Sequence, residues 1–165
     1  METYMQIQRI RFGSRFNYEI HMREGFDPNH YMILPILLQP IVENAILHGM
    51  EQVEENGLIS VSMEAISAER MSTDKTSRGT ADASEADGRL KICISDNGCG
   101  MTEEELEALQ IKISQKTLNR KNSIGLCNIN QRIRLCHGEE YGMKIDSTLG
   151  KGTAITVTLP IVSPE

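Results

Sequence analysis

Four short stretches of this 165-residue chain hold residue types that could do chemistry. The first is Glu43-Asn44-Ala45-Ile46-Leu47-His48-Gly49. On a helix, Asn44 and His48 would be neighbours one turn apart. An amide oxygen on a half-buried helix can ligate Mg²⁺, which takes hard oxygen donors and keeps several waters. The second is Ser95-Asp96-Asn97-Gly98-Cys99-Gly100-Met101. Asp96 would end a strand with its carboxylate aimed into the cleft above, where it could accept a hydrogen bond from an exocyclic amine such as adenine N6. Gly98 and Gly100 permit a positive φ and a close approach of a flat ligand to backbone. The third is Ser123-Ile124-Gly125-Leu126, which opens a helix after a polar, basic stretch. N–H groups at a helix start attract anions, and Gly125 keeps the approach open. The fourth is Gly150-Lys151-Gly152-Thr153. Thr153 shares the strand face of Ile155, Val157 and Leu159, so its hydroxyl points inward and needs a partner. Each of the first three alone has a plainer reading: a polar residue beside a core helix, an Asn-Gly turn, or an ordinary helix start.

The elements that must position these residues follow from hydrophobic periodicity. Residues 3–11 suit a short helix through Met5, Ile7 and Ile10. Residues 16–22 alternate, with Phe16, Tyr18, Ile20 and Met22 on one side, as a half-buried strand does. Leu34, Leu37, Leu38, Ile41, Ala45 and His48 recur at helical spacing over 33–48, with Pro40 perturbing a turn and Gly49 as the stop. Residues 58–64 and 89–95 read as strands, the second with Leu90, Ile92 and Ile94 facing one way. The Ser-, Thr-, Asp- and Gly-rich stretch between them, 66–88, reads as a mobile hairpin insertion. Thr102-Glu103-Glu104-Glu105 is a capping box that starts a helix running to about Ile111. Residues 112–123 are polar and basic, with little to pack. Residues 125–137 form a helix through Leu126, Ile129, Ile133 and Cys136. Strands over 141–147 and 152–159 flank a turn at Leu149-Gly150-Lys151. This order implies an α+β fold, a two-layer sandwich with a mixed, mostly antiparallel sheet and helices on one face.

Composition narrows the function class. A hydrophobic content of 39% in 165 residues is enough for the core of one domain. The net charge is −6 and the basic residues are scattered, so a nucleic-acid binder, with its concentrated basic face, is set aside. Cys93, Cys99, Cys127 and Cys136 form no C-x-x-C pair. They read as reduced thiols in or near the core, not as a zinc site. No apolar run approaches a membrane span and no signal peptide is visible. The expectation is a cytosolic chain, or the cytosolic piece of something larger.

Taken together and in order, the first three stretches resemble the N, G1 and G2 boxes of the GHKL superfamily, which includes histidine kinases, DNA gyrase B, Hsp90, MutL and the anti-sigma-factor kinases. The resemblance implies the Bergerat form of the sandwich, with ATP and Mg²⁺ as ligands. It makes Asn44 the Mg²⁺ ligand, Asp96 the adenine reader and Thr153 its water-linked helper. Gly98, Gly100, Met101 and His48 would line the nucleotide, and Ser123, Gly125 and Leu126 would cradle its phosphates. Residues 102–122 would include an ATP lid, with Lys116, Arg120 and Lys121 as candidate charge-neutralising groups. The stretches LPILLQPIVENAILHG, SDNGCGM, IGLCNINQRIRLCHGEEYG and GKGTAITVTLP are similar to the YesM/LytS branch of sensor kinases. So is QIQRIRFGSRF, which in that branch follows the dimerisation helices. Residues 1–12 would then end such a helix and 13–162 would be the ATP-binding catalytic domain. Ser123 departs from the branch, which has Gly there.

The ATPases of the superfamily carry a water-activating glutamate four residues before the helix asparagine. Here that position is Pro40. Glu43, next to Asn44, would point about 100° away around the helix. It shares with Asn44 the candidate catalytic position but is badly placed for that water. The resemblance therefore implies phosphoryl transfer to a histidine rather than hydrolysis. None of His21, His30, His48 or His137 lies in the branch's His-Phe-x-Tyr-Asn acceptor context, which places the acceptor upstream. The implied partners are the upstream phosphoacceptor helices, a response regulator and a second copy in a homodimer. The implied setting is a cytoplasmic domain of a membrane-anchored sensor. A nucleotide-binding regulatory module without transfer activity is the alternative.

Overall fold

The computed structural model describes residues 2–12, 15–34, 36–66, 88–114 and 124–162, and the structural statements below concern these. Helix α1 (Glu2–Phe12) leads into strand β1 (Phe16–Met22). Helix α2 (Gln39–Asn44) continues as a π-helical turn, Ala45–Gly49. Strands β2 (Gly57–Ile66) and β3 (Arg89–Asp96) follow, then helices α3 (Glu103–Ser114) and α4 (Ile124–His137), then strands β4 (Gly142–Thr148) and β5 (Gly152–Pro160). The sheet order is β1-β2-β3-β5-β4. Only β1–β2 is parallel and the other three pairings are antiparallel. The expected mixed, mostly antiparallel sheet is therefore present.

The core lies on one face of that sheet. Ile59 and Val61 of β2, Leu90, Ile92 and Ile94 of β3, and Ile155, Val157 and Leu159 of β5 are all buried. They meet Ile41, Val42, Ala45 and Ile46 of the α2 segment and Leu126, Ile129 and Ile133 of α4. The alternate strand positions, such as Ser60, Ser62, Cys93, Thr156 and Thr158, are polar or small, as an antiparallel sheet with one solvated face requires. Met5 of α1 is fully buried in the same core, whereas Ile7 and Ile10 are exposed.

Three helix expectations need correction. The apolar periodicity over 33–48 is not one helix. The chain is non-helical before Gln39, Ile36 has φ 59°, and Pro40 sits in the first turn of α2, where its missing N–H costs nothing. Leu37 and Leu38 are still buried, so apolar spacing continued where helix did not. His48 is exposed rather than part of the apolar stripe, while Met50, just past the π turn, is buried. Helix α3 runs to Ser114, because Ile113 in the supposedly unpacked stretch is buried. Its capping box is present: Thr102 N–H donates to Glu105 Oε2 at 2.9 Å and Glu105 N–H to Thr102 Oγ1 at 3.2 Å. Cys136 is exposed and the other three cysteines are half-buried, so α4 faces the core with Leu126, Ile129 and Ile133 but not Cys136.

Asn130 of α4 is fully buried, and sequence reasoning gave it no role. Its Nδ2 donates to the Ile113 carbonyl at 3.1 Å and its Oδ1 accepts from Met143 N–H at 2.8 Å. The carbonyls of a helix's last turn lack intrahelical partners. Asn130 supplies one and ties α3 and α4 to the β4 edge. The strands flanking the 66–88 insertion pair directly, Ile66 with Arg89. Residues 67–87 lie outside the described residues, as do Pro35 and 115–123.

Candidate functional site

The site is built where β3 ends. Alternation along Leu90, Ile92 and Ile94 carries Asp96 onto the helix-covered face, at the point where the core stops. Register then sets Thr153 of β5 directly opposite. Asp96 Oδ1 accepts from the backbone N–H of Gly98 at 2.9 Å and of Thr153 at 3.3 Å. Those two bonds fix the carboxylate and leave Oδ2 without a protein donor among the described residues. Burial pushes the Asp96 carboxyl above its ordinary value, and the two N–H donors pull it back only in part. The group is thus held where a ligand donor would be strongly favoured.

Close backbone approach makes this possible. A Cβ on Gly49, at the end of the π turn, would lie 2.7 Å from the Asp96 carboxyl carbon. A Cβ on Gly98 would overlap the Gly49 carbonyl oxygen. Gly98 has no positive φ, so the need at that position is space, not backbone freedom. Gly100 does need that freedom, with φ +64°. Asn97 straps the loop to β2: its Oδ1 accepts from Leu58 N–H at 2.7 Å and its Nδ2 donates to the Asn56 carbonyl at 3.0 Å. Cys99 N–H and thiol donate to the carbonyls of Gly49 and His48, at 3.1 and 3.2 Å. The loop after β3 and the π turn after α2 are therefore one unit.

Thr153 is nearly buried, and its hydroxyl has the partner its position demands, Ser147 Oγ at 2.9 Å. Ser147 also accepts from Met101 N–H at 3.0 Å. Asp96, Thr153 and Ser147 stand in one row across β3, β5 and β4. A shallow recess of about 240 Å³ at these strand ends takes them in together with Ser95, Asp146 and Ala154, the adjacent row that alternation places on the other face of the sheet. Asn44 is half-buried on the last α-helical position before the π turn. Such single wide turns recur at functional sites. Glu43 is held by a hydrogen bond from Gln39 Nε2 at 2.9 Å, which orients it along α2. Gly125, exposed at the start of α4, faces Pro40: a Cβ there would sit 3.9 Å from the proline ring. Leu126 behind it is buried. The structure thus brings the π turn after α2, the loop after β3 and the start of β5 together, while the start of α4 lies against the opposite end of α2, at Pro40. Lys116, Arg120, Lys121 and Ser123 lie outside the described residues. Gly49, Asn97, Ser147 and Gly152 also build the site, although no motif marks them in the sequence. Gly49 has one signal there, its place directly after His48.

A family model described as histidine kinase-, DNA gyrase B-, and HSP90-like ATPase matches residues 33–163. This chain belongs to that family. The match covers every box from Asn44 to Thr153, and it makes the recess at Asp96 part of an ATP-binding domain. Among curated relatives, the chain is 32% identical to the sensor histidine kinase YesM of Bacillus subtilis over 95% of its own length and 22% of that protein's. It is 28% identical to the sensor protein LytS of Oceanobacillus iheyensis, over 97% and 23%. The chain thus spans under a quarter of these two relatives. The fold is similar to the catalytic domain of the histidine kinase ThkA, with TM-score 0.59 at 14% identity, over 97% of this chain and 90% of that one. It is also similar to the mycobacterial sensor histidine kinase MprB, with TM-score 0.53 at 16% identity, over 99% and 93%.

Proposed function

We propose that this chain is the ATP-binding catalytic domain of a sensor histidine kinase, which hands the γ-phosphoryl group of Mg·ATP to a histidine outside residues 1–165. The observation that carries the reading is the Asp96 carboxylate. One oxygen is locked by Gly98 and Thr153 and the other is open. That arrangement suits an exocyclic amine, so Asp96 reads adenine and Thr153 supports it. Pro40 at the position of the ATPase base, and Glu43 engaged with Gln39, favour transfer over hydrolysis.

Asn44 would hold the metal. Its side chain carries no hydrogen bond among the described residues, and these contain no cluster of three or more His, Cys, Asp or Glu able to hold an ion. An amide oxygen, phosphate oxygens and water are a donor set that suits Mg²⁺. When bound, the ion neutralises phosphate charge during transfer. His48, Gly100 and Met101 border the base, and Gly125 with the N–H groups of α4 faces the phosphates, with Ser123, Lys116 and Arg120 completing that end and residues 102–122 including the lid. The partners in the intact protein are the upstream phosphoacceptor helices, a response regulator and a second copy of the chain. No described helix is long and apolar enough to cross a membrane. We place the domain in the cytoplasm, anchored through segments outside this chain.

Calorimetry tests the reading: ATP binds and GTP, with a carbonyl in place of the amine, binds poorly. Equal affinity for the two would remove Asp96 as base reader. Incubated alone with labelled ATP, the chain should form no acid-labile, base-stable phosphoprotein, whereas a longer chain carrying the acceptor should. ATP binding without transfer in that longer chain would leave the regulatory-module reading instead.

A further inference from the structure

Ser147 of β4 pairs with Thr153 in the row that Asp96 begins, and its single hydroxyl meets three polar atoms. These are the N–H of Met101 at 3.0 Å, the carbonyl oxygen of Gly152 at 3.0 Å and Thr153 Oγ1 at 2.9 Å. A hydroxyl has one proton and two lone pairs, a backbone N–H can only donate and a carbonyl can only accept. Met101 therefore takes one lone pair of Ser147. If the Ser147 proton pointed at Thr153, two oxygens, Ser147 Oγ and that of Gly152, would face each other at 3.0 Å with no proton between them. With the proton on the Gly152 contact, the second lone pair of Ser147 accepts from the Thr153 hydroxyl. Every contact then holds one proton. The Thr153 proton is turned toward Ser147, and only lone pairs remain for a ligand at Asp96. Asp96 Oδ2 beside it is likewise an acceptor.

We propose that Ser147 is a specificity-determining residue: by fixing the direction of the Thr153 hydroxyl, it makes the Asp96–Thr153 edge accept hydrogen bonds only. That edge then takes a purine carrying an amine and rejects one carrying a carbonyl at the same position. Ser147 touches no ligand in this account and acts through Thr153. Without it, the Thr153 hydroxyl can rotate and offer its proton to a carbonyl. The inference rests on the reading of Asp96 as the adenine contact.

The test compares ATP with inosine triphosphate, which replaces the amine by a carbonyl and lacks the guanine amine. Both are titrated into the parent chain and into Ser147→Ala. The parent should prefer ATP. In Ser147→Ala the ratio of the two affinities should fall about three- to tenfold, the range of one hydrogen bond. The ratio is the readout because a packing defect weakens both nucleotides alike. Ser147→Thr, which restores the hydroxyl, should restore the preference. In a Thr153→Val background, Ser147→Ala should change the ratio no further, since the two residues act as one coupled pair. Ser147→Cys, close in shape but a weak hydrogen bonder, gives the same comparison if circular dichroism shows the alanine variant unfolded. A parent that binds both nucleotides equally overturns the base reading itself. A parent that prefers ATP, with the ratio unchanged in the Ser147 variants, overturns the role of Ser147 alone.

Discussion

Asp96 is held where burial opposes its ionisation. Its folded pKa is raised, so its contribution to stability is full below the unfolded-state pKa and is lost as pH rises through the folded value. At neutral pH the charge thus works against the free fold. Asp96→Asn keeps an acceptor oxygen for Gly98 and Thr153 and removes the charge. We expect its unfolding temperature without nucleotide to equal or exceed the parent's, while ATP affinity drops by about 1–3 kcal/mol. Joint loss of stability and affinity would mark Asp96 as structural. ATP affinity should also weaken as pH is lowered through the raised pKa of Asp96, and the Asn variant should flatten that profile in calorimetry. For Asn44→Ala, metal-free ADP should bind nearly as to the parent while the gain from adding Mg²⁺ shrinks. If metal-free ADP binding disappears instead, Asn44 supports the fold rather than the ion. Strand alternation and glycine spacing made Asp96 and Thr153 legible one at a time. Their pairing is implied only by the family resemblance and not by the residues themselves, because register depends on where two distant strands meet. Ser147 was illegible for the same reason: one of its three partners comes from the loop after β3 and two from across its own hairpin.

Among the elements, the two glycine-bearing turns of the site have opposite tolerances. Gly98→Ala must displace the Gly49 carbonyl. The loop after β3 and the π turn would separate, with a loss on the order of 3 kcal/mol in urea unfolding and no measurable nucleotide binding. Among the described residues, Gly125→Ala meets nothing closer than 3.9 Å, and it gains helix propensity, worth about 0.5–1 kcal/mol. It should unfold at equal or higher urea concentration and yet bind ATP more weakly than the parent, because its methyl covers the N–H groups at the start of α4. Unchanged ATP affinity there would remove Gly125 from the phosphate end. The capping box of α3 and both closing strands were legible because their signals are local. The start of α2 was not, since Leu37 and Leu38 are buried from non-helical backbone and so extend an apolar period past the true helix. The π turn carries no compositional mark at all: it is defined by shifted hydrogen bonds, among them Met50 N–H to the Ala45 carbonyl.

For the whole molecule, the sandwich class followed from element order and polar alternation, while the place of β1 did not. A parallel edge strand joined through α2 looks, in sequence, like any other half-buried strand. The same sheet fixes how far the site lies from the long hairpin connection. Strands β2 and β3 pair from Ile66–Arg89 at one end to Ile59–Asp96 at the other. At about 3.4 Å per residue, the eight residues of β3 span roughly 24 Å. Whatever length of chain joins residue 66 to residue 88 enters at the end of the sheet remote from the nucleotide. Replacing 67–87 by a short Gly-Asn turn should leave ATP affinity within about twofold of the parent by calorimetry, since additivity holds for sites this far apart. A loss beyond tenfold would show that the segment reaches the site. If the affinity holds, strand length acts here as insulation. The domain then offers a port for cargo, such as a reporter domain or an affinity tag, at the far end of a ladder of buried pairs from its chemistry.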